Sequence, residues 1–75
     1  MIFLIQYDRR KGCIVKFESF PDSQRFKAEK SRLAIELDLN ASGIDNEVVL
    51  LEATSEEALR RTHRRYFESL VEMGS

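Results

Sequence analysis

Met1-Ile2-Phe3-Leu4-Ile5-Gln6-Tyr7 opens the chain and holds its longest unbroken apolar run, Met1 to Ile5. β-Branched and aromatic residues of this kind fit a pleated surface, so the stretch reads as a strand. It is the most apolar strand candidate, which places it in the middle of a sheet. The run stops at Asp8-Arg9-Arg10-Lys11-Gly12. Aspartate opens turns by bonding the backbone just ahead of it, and glycine supplies a positive φ at the far end. This predicts a hairpin, with Cys13-Ile14-Val15-Lys16-Phe17-Glu18 as the second strand.

Beyond the hairpin, Phe20-Pro21-Asp22-Ser23 breaks the strand, because proline cannot donate to a ladder. Asp22 is a suitable N-cap, and a helix is expected from about Ser23 to Ser42. Gly43 suits the left-handed residue after a helix, with Ile44 folding back on the last turn. Glu47-Val48-Val49-Leu50-Leu51-Glu52-Ala53 reads as a third strand. Thr54 or Ser55 is expected to cap the next helix, and Thr54 would do so with a capping box, since Glu57 stands three residues after it. The second helix is expected to run to about Met73.

The order is therefore β-β-α-β-α in one domain covering residues 1–75. The expected class is α+β, a two-layer α/β sandwich with a three-stranded mixed sheet of order 2-1-3 and both helices on one face. Placing the second strand centrally would bury Lys16 and Glu18, at a high desolvation cost. The element order is similar to part of a ferredoxin-like split unit, an analogy of shape that carries no function.

The chain has 75 residues, 12 Lys plus Arg against 13 Asp plus Glu, and 43% hydrophobic residues. A disordered tail has fewer apolar residues and a larger net charge. A membrane span needs about 20 consecutive apolar residues, far more than the opening run supplies. Cys13 is the only cysteine, which excludes a disulfide scaffold. Met1 to Ile5 is too short for a secretory core and no basic stretch precedes it, so a cytoplasmic location is expected. Neither a lipidation motif nor a membrane association is expected.

The alternation of strand side chains divides the sheet into two faces. Phe3, Ile5, Tyr7, Cys13, Val15, Phe17, Val49, Leu51 and Ala53 form the more uniformly apolar one, which is assigned to the helices. That leaves Ile2, Leu4, Ile14, Val48 and Leu50 uncovered, rimmed by Gln6, Lys16 and Glu18. Monomers seldom expose such a patch, so these five residues are the expected contact of a sheet-to-sheet homodimer. On the first helix, Phe26, Lys30, Leu33 and Leu37 are expected to face the sheet. Ala28, Ile35 and Leu39 form a second stripe nearly opposite, available to a neighbouring element or an unidentified protein partner.

Candidate chemistry is sparse. Arg60, Arg61, Arg64 and Arg65 share one face of the second helix, opposite a stripe of Leu59, His63, Tyr66, Leu70 and Met73. With Arg9, Arg10 and Lys11 at the hairpin tip they could grip phosphates of a nucleic acid. Glu56, Glu57 and Glu68 sit four residues from Arg60, Arg61 and Arg64, so paired surface charges are the better reading, and nucleic-acid binding is disfavoured. His63 and Tyr66 beside arginines are the tools of a metal-free ribonuclease, a weaker alternative still. One Cys and one His fall short of a metal ligand set. Glycines stand only at 12, 43 and 74, which leaves no phosphate loop. No catalytic residue, cofactor or metal is expected. The function read from sequence is a non-enzymatic protein-interaction or regulatory module acting as a homodimer.

Overall fold

A computed structural model describes residues 1–67. Strand β1 (Ile2–Asp8) and β2 (Cys13–Phe20) form the expected hairpin. Asp8 Oδ1 accepts from the Arg10 and Lys11 amides at 2.9 and 3.0 Å, and Gly12 takes φ 65°. A short 3-10 turn, Asp22–Gln24, leads into α1 (Arg25–Ser42). Asp22 does not cap this helix; neither the turn nor α1 has a side-chain N-cap bond. The other end follows the sequence closely. Gly43 is left-handed at φ 68°, and Ile44 donates back to the Leu39 carbonyl at 3.1 Å.

Strand β3 (Asn46–Glu52) completes the sheet, and the strand order is β2-β1-β3, as expected. Both neighbouring pairs are antiparallel, so the sheet is not mixed. The α1 crossover does make β2 and β3 parallel to each other. With β1 lying between them, that relation never becomes a hydrogen-bonded pair.

The larger correction concerns the layers. Ile2, Leu4, Phe20 and Ala28 form one buried cluster, with Ile35, Val48 and Leu50 against it. Phe3, Ile5, Leu59, Tyr66 and Phe67 form another, joined by Tyr7, Ile14, Phe17, Val49, Leu51 and Ala53. The two clusters lie on opposite faces of β1, because its side chains alternate. Helix α1 therefore covers one face. Helix α2 (Glu56–Thr62) and the 3-10 turn Arg64–Tyr66 cover the other. The two-layer arrangement with both helices on one face gives way to three layers, while the element order β-β-α-β-α is as expected. A central strand apolar on both sides requires this, since either face left open would expose large aliphatic groups to water.

Strand β2 explains a second difference. Gln6 pairs with Lys16 but Tyr7 pairs with Ile14, so Val15 is the extra residue of a bulge. A bulge changes which face the following side chains occupy. Ile14 thus joins Phe17 under α2, while Val15 is 55% exposed. The expected grouping of Cys13, Val15 and Phe17 does not survive.

Helix α2 is shorter than its sequence pattern suggests. Of the two expected caps it uses Ser55, whose Oγ accepts from the Ala58 amide at 3.1 Å. It ends at Thr62, with His63 as the C-cap at φ -120° and ψ 55°. Leu59 and Tyr66 are buried as the stripe requires. Leu70, Met73 and Glu68 lie outside the described residues.

Candidate functional site

Of the five residues expected at a dimer contact, Ile2 and Leu4 are fully buried within the single chain. Val48 and Leu50 pack beside them under α1, and Ile14 faces the opposite layer. The expected open sheet face is therefore an interior. None of the five lies on an open sheet face: α1 occupies the space a second sheet would need over Ile2, Leu4, Val48 and Leu50, and Ile14 packs with Leu59, Tyr66 and Phe67 on the other side.

The stripes of α1 are exchanged for the same reason. Ala28 and Leu39 are buried and Ile35 is half-buried on the sheet. Phe26, Leu33 and Leu37 point away from it and are 73%, 53% and 60% exposed. Lys30 lies on this outer stripe, its Nζ 5.5 Å from the centre of the Phe26 ring. The spacing from 26 to 30, 33 and 37 is four, three, four, the seam of a helix that meets another helix. Ala28 explains the inward choice, since a small side chain lets the helix backbone approach Ile2 and Leu4 closely.

Of the expected basic residues only Arg9 and Arg65 come together, on either side of the Glu47 carboxylate. Arg60 pairs with Glu56 at 3.0 Å and Arg61 with Glu57 at 2.8 Å, each four residues apart on α2. Arg64 and Arg65 lie beyond the helix end. Arg9 pairs with Asp45 at 3.3 Å and lies 3.6 Å from Glu47. Arg10 and Lys11 remain exposed at the hairpin tip. Pairs on an open surface contribute little to stability, but they neutralise the charge that a phosphate would seek.

One polar cluster is built more tightly. Glu47, at the start of β3, accepts a hydrogen bond from the Tyr66 hydroxyl. It also accepts from Arg65 at 2.6 Å. The Arg65 guanidinium stacks over the Tyr66 ring, 4.2 Å from its centre, and donates to the Tyr66 hydroxyl at 2.6 Å. Tyr7 meets the same ring edge-on, with centroids 5.4 Å apart. The Tyr66 hydrogen bond holds the Glu47 carboxyl below its ordinary value, against its burial, and Arg65 and Arg9 add to the effect. Burial raises the Tyr66 phenol above its ordinary value, and the Glu47 bond raises it further. Tyr66 is thus a protonated donor at neutral pH. A tyrosine locked as donor to a carboxylate fastens the chain and is poorly placed to take a proton.

This cluster sets a pH dependence. The Glu47 carboxyl is lowered on folding, so its contribution is complete above the unfolded value, about pH 4.3. That contribution is lost as pH falls through the lower folded value. The urea midpoint should therefore fall more steeply below about pH 5 in the native chain than in Glu47→Gln. Parallel acid limbs in the two proteins would show that Glu47 carries none of it.

His63 is half-buried at the end of α2, and Cys13 is half-buried at the hairpin end. Among the described residues no hydrogen bond joins them, and no group of three or more metal-ligating side chains occurs. Among the described residues one open, mainly polar cleft is lined by Arg9, Glu36, Leu39, Asn40 and Glu47 and has a volume of about 360 Å³. Among the described residues no helix is long and apolar enough to cross a membrane. The sequence shows which residues belong to the outer stripe of α1, but its two apolar stripes give no sign of which turns outward. No family model matches the chain, and neither a curated protein nor a solved structure is significantly similar to it.

Proposed function

We propose that this chain is a non-enzymatic protein-interaction module whose working surface is the outer stripe of α1, and that it docks there with a second copy of itself. The observation that carries this is the exposure of Phe26, Leu33 and Leu37 in a seam spacing, on the side of α1 turned away from the sheet. Residues so placed contribute nothing to the chain's own interior, and water contact with them is unfavourable. A core of this size supplies only about 3 to 5 kcal/mol, so burial between chains adds usefully to stability. Three apolar side chains over about 16 Å of helix make a contact at the small end of specific interfaces.

Sedimentation of the native chain should give twice the 8.8 kDa monomer mass at high concentration. Leu37→Glu should give the monomer mass at every concentration, with an unchanged far-UV circular dichroism spectrum, because Leu37 is 60% exposed. A native chain that stays monomeric at several hundred micromolar removes the proposal.

A further inference from the structure

We infer that the two copies meet with their α1 helices antiparallel, Phe26 lying against Leu37 of the partner subunit and Lys30 against Leu33 of the partner subunit. This rests on the self-docking reading above and specifies its geometry. The charge pattern of α1 is the reason. Residues 25–32 carry four basic side chains and one acidic, while residues 33–42 carry two acidic and none basic. This arrangement is unfavourable for the helix itself. Its first turn has no acidic residue and its last turn no basic one, whereas a helix dipole favours anions at the N-terminus and cations at the C-terminus. An antiparallel second copy turns that pattern to advantage, because each basic half then lies beside an acidic half.

Two further placements agree. Lys27 and Asp38 flank the seam on the same side, both exposed. Neither has an ion-pair partner among the described residues, whereas Arg25 is held by Glu52 and Arg32 by Glu36. Antiparallel pairing brings same-side flanks together. Lys27 then comes opposite Asp38 of the partner subunit, twice per dimer. On the other flank Arg32 comes opposite Glu29 of the partner subunit while keeping its own Glu36. A parallel in-register pair would instead press Lys30 against its own equivalent in the seam and set one basic half against the other. Like charges so close are repulsive.

Charge reversal tests the geometry. Lys27→Glu and Asp38→Lys each improve the match of α1 to its own dipole, so neither should harm the monomer fold. Each turns two attractions into two repulsions and should weaken the dimer about tenfold by sedimentation equilibrium at low salt. The double variant, Lys27→Glu with Asp38→Lys, restores both pairs with reversed polarity and should return to within about threefold of the native dissociation constant. A double variant as weak as the sum of the two singles, or singles that change nothing, overturns the antiparallel register. In both cases a native dimer dissociated by Leu37→Glu leaves the self-docking reading standing. A native monomer removes both.

Discussion

Leu4→Lys should leave the chain unfolded, with a far-UV spectrum lacking helix and strand and no cooperative thermal transition. Leu4 is fully buried in the central strand, beneath α1 and beside Ile2, Phe20 and Ala28. Truncating a leucine in such a place costs about 2 to 5 kcal/mol through lost transfer energy and the cavity left behind. A lysine adds the desolvation of an ammonium with no partner in reach. A core of this size supplies only about 3 to 5 kcal/mol, so the substitution exceeds what the fold has in hand. Leu4→Ala and Leu4→Met give the graded controls. The alanine variant should lower the urea midpoint severely and the methionine variant only slightly, since methionine nearly conserves volume. A folded Leu4→Lys with a normal melting transition would show that this sheet face is open. The sheet-to-sheet dimer expected from the sequence would then return.

That contrast marks where the sequence stopped being legible. The hairpin was readable because Asp8 and Gly12 carry turn chemistry at fixed positions, and the end of α1 because Gly43 alone tolerates the left-handed φ. The strand order followed from β1 being the most apolar. Which side each helix takes was not readable. β1 is apolar on both sides, so Phe3 and Ile5 could claim a cover no better than Ile2 and Leu4. The better inference lay in that same fact: a central strand apolar on both faces asks for two covers. In α1 the two stripes are similarly apolar, and only the small side chain of Ala28 favours one for close approach. The bulge at Val15 has no marker of its own, since Gly12, the nearby glycine, serves the hairpin turn. Within the described residues Leu59 and Tyr66 of the expected α2 stripe are buried, although the helix ends at Thr62. The 3-10 turn after His63 still delivers Tyr66 and Phe67 to the sheet, so the spacing was right for a reason the pattern did not contain.

For the candidate surface the consequence is specific. The apolar surplus noted in the composition is mostly absorbed by the second covered face. Besides the separate Met1, Val15 and Ile44, what remains outside is the stripe of Phe26, Leu33 and Leu37, a narrower and differently placed contact than five residues of an open sheet. A helix seam also carries orientation through its flanking charges. The solvent-facing strands of a sheet would not have offered Lys27 and Asp38 in this relation.

Tyr66 should separate the two ways in which the chain after α2 is fastened. Tyr66→Ala removes a buried ring that Tyr7 meets edge-on and that Arg65 stacks over. Losing a buried aromatic costs about 3 to 5 kcal/mol, enough to release α2 from the sheet and expose Phe3 and Ile5. Tyr66→Phe keeps the ring and removes only the hydroxyl. Glu47, whose side chain is 16% exposed, then loses its strongest donor and retains Arg65. An acceptor left short of a partner in such a place costs about 1 to 2 kcal/mol. Urea unfolding at pH 7 should therefore order the midpoints native, then Tyr66→Phe, then Tyr66→Ala, with the larger gap in the second step. A double-mutant cycle of Tyr66→Phe and Glu47→Gln should show coupling of about 0.5 kcal/mol or more, since the two groups are bonded to each other. Tyr66→Phe should also lose part of the acid sensitivity, because the hydroxyl is the chief cause of the lowered Glu47 carboxyl. Equal midpoints for native and Tyr66→Phe, with an additive cycle, would place all of the fastening in the ring and leave Glu47 a surface charge held by arginines.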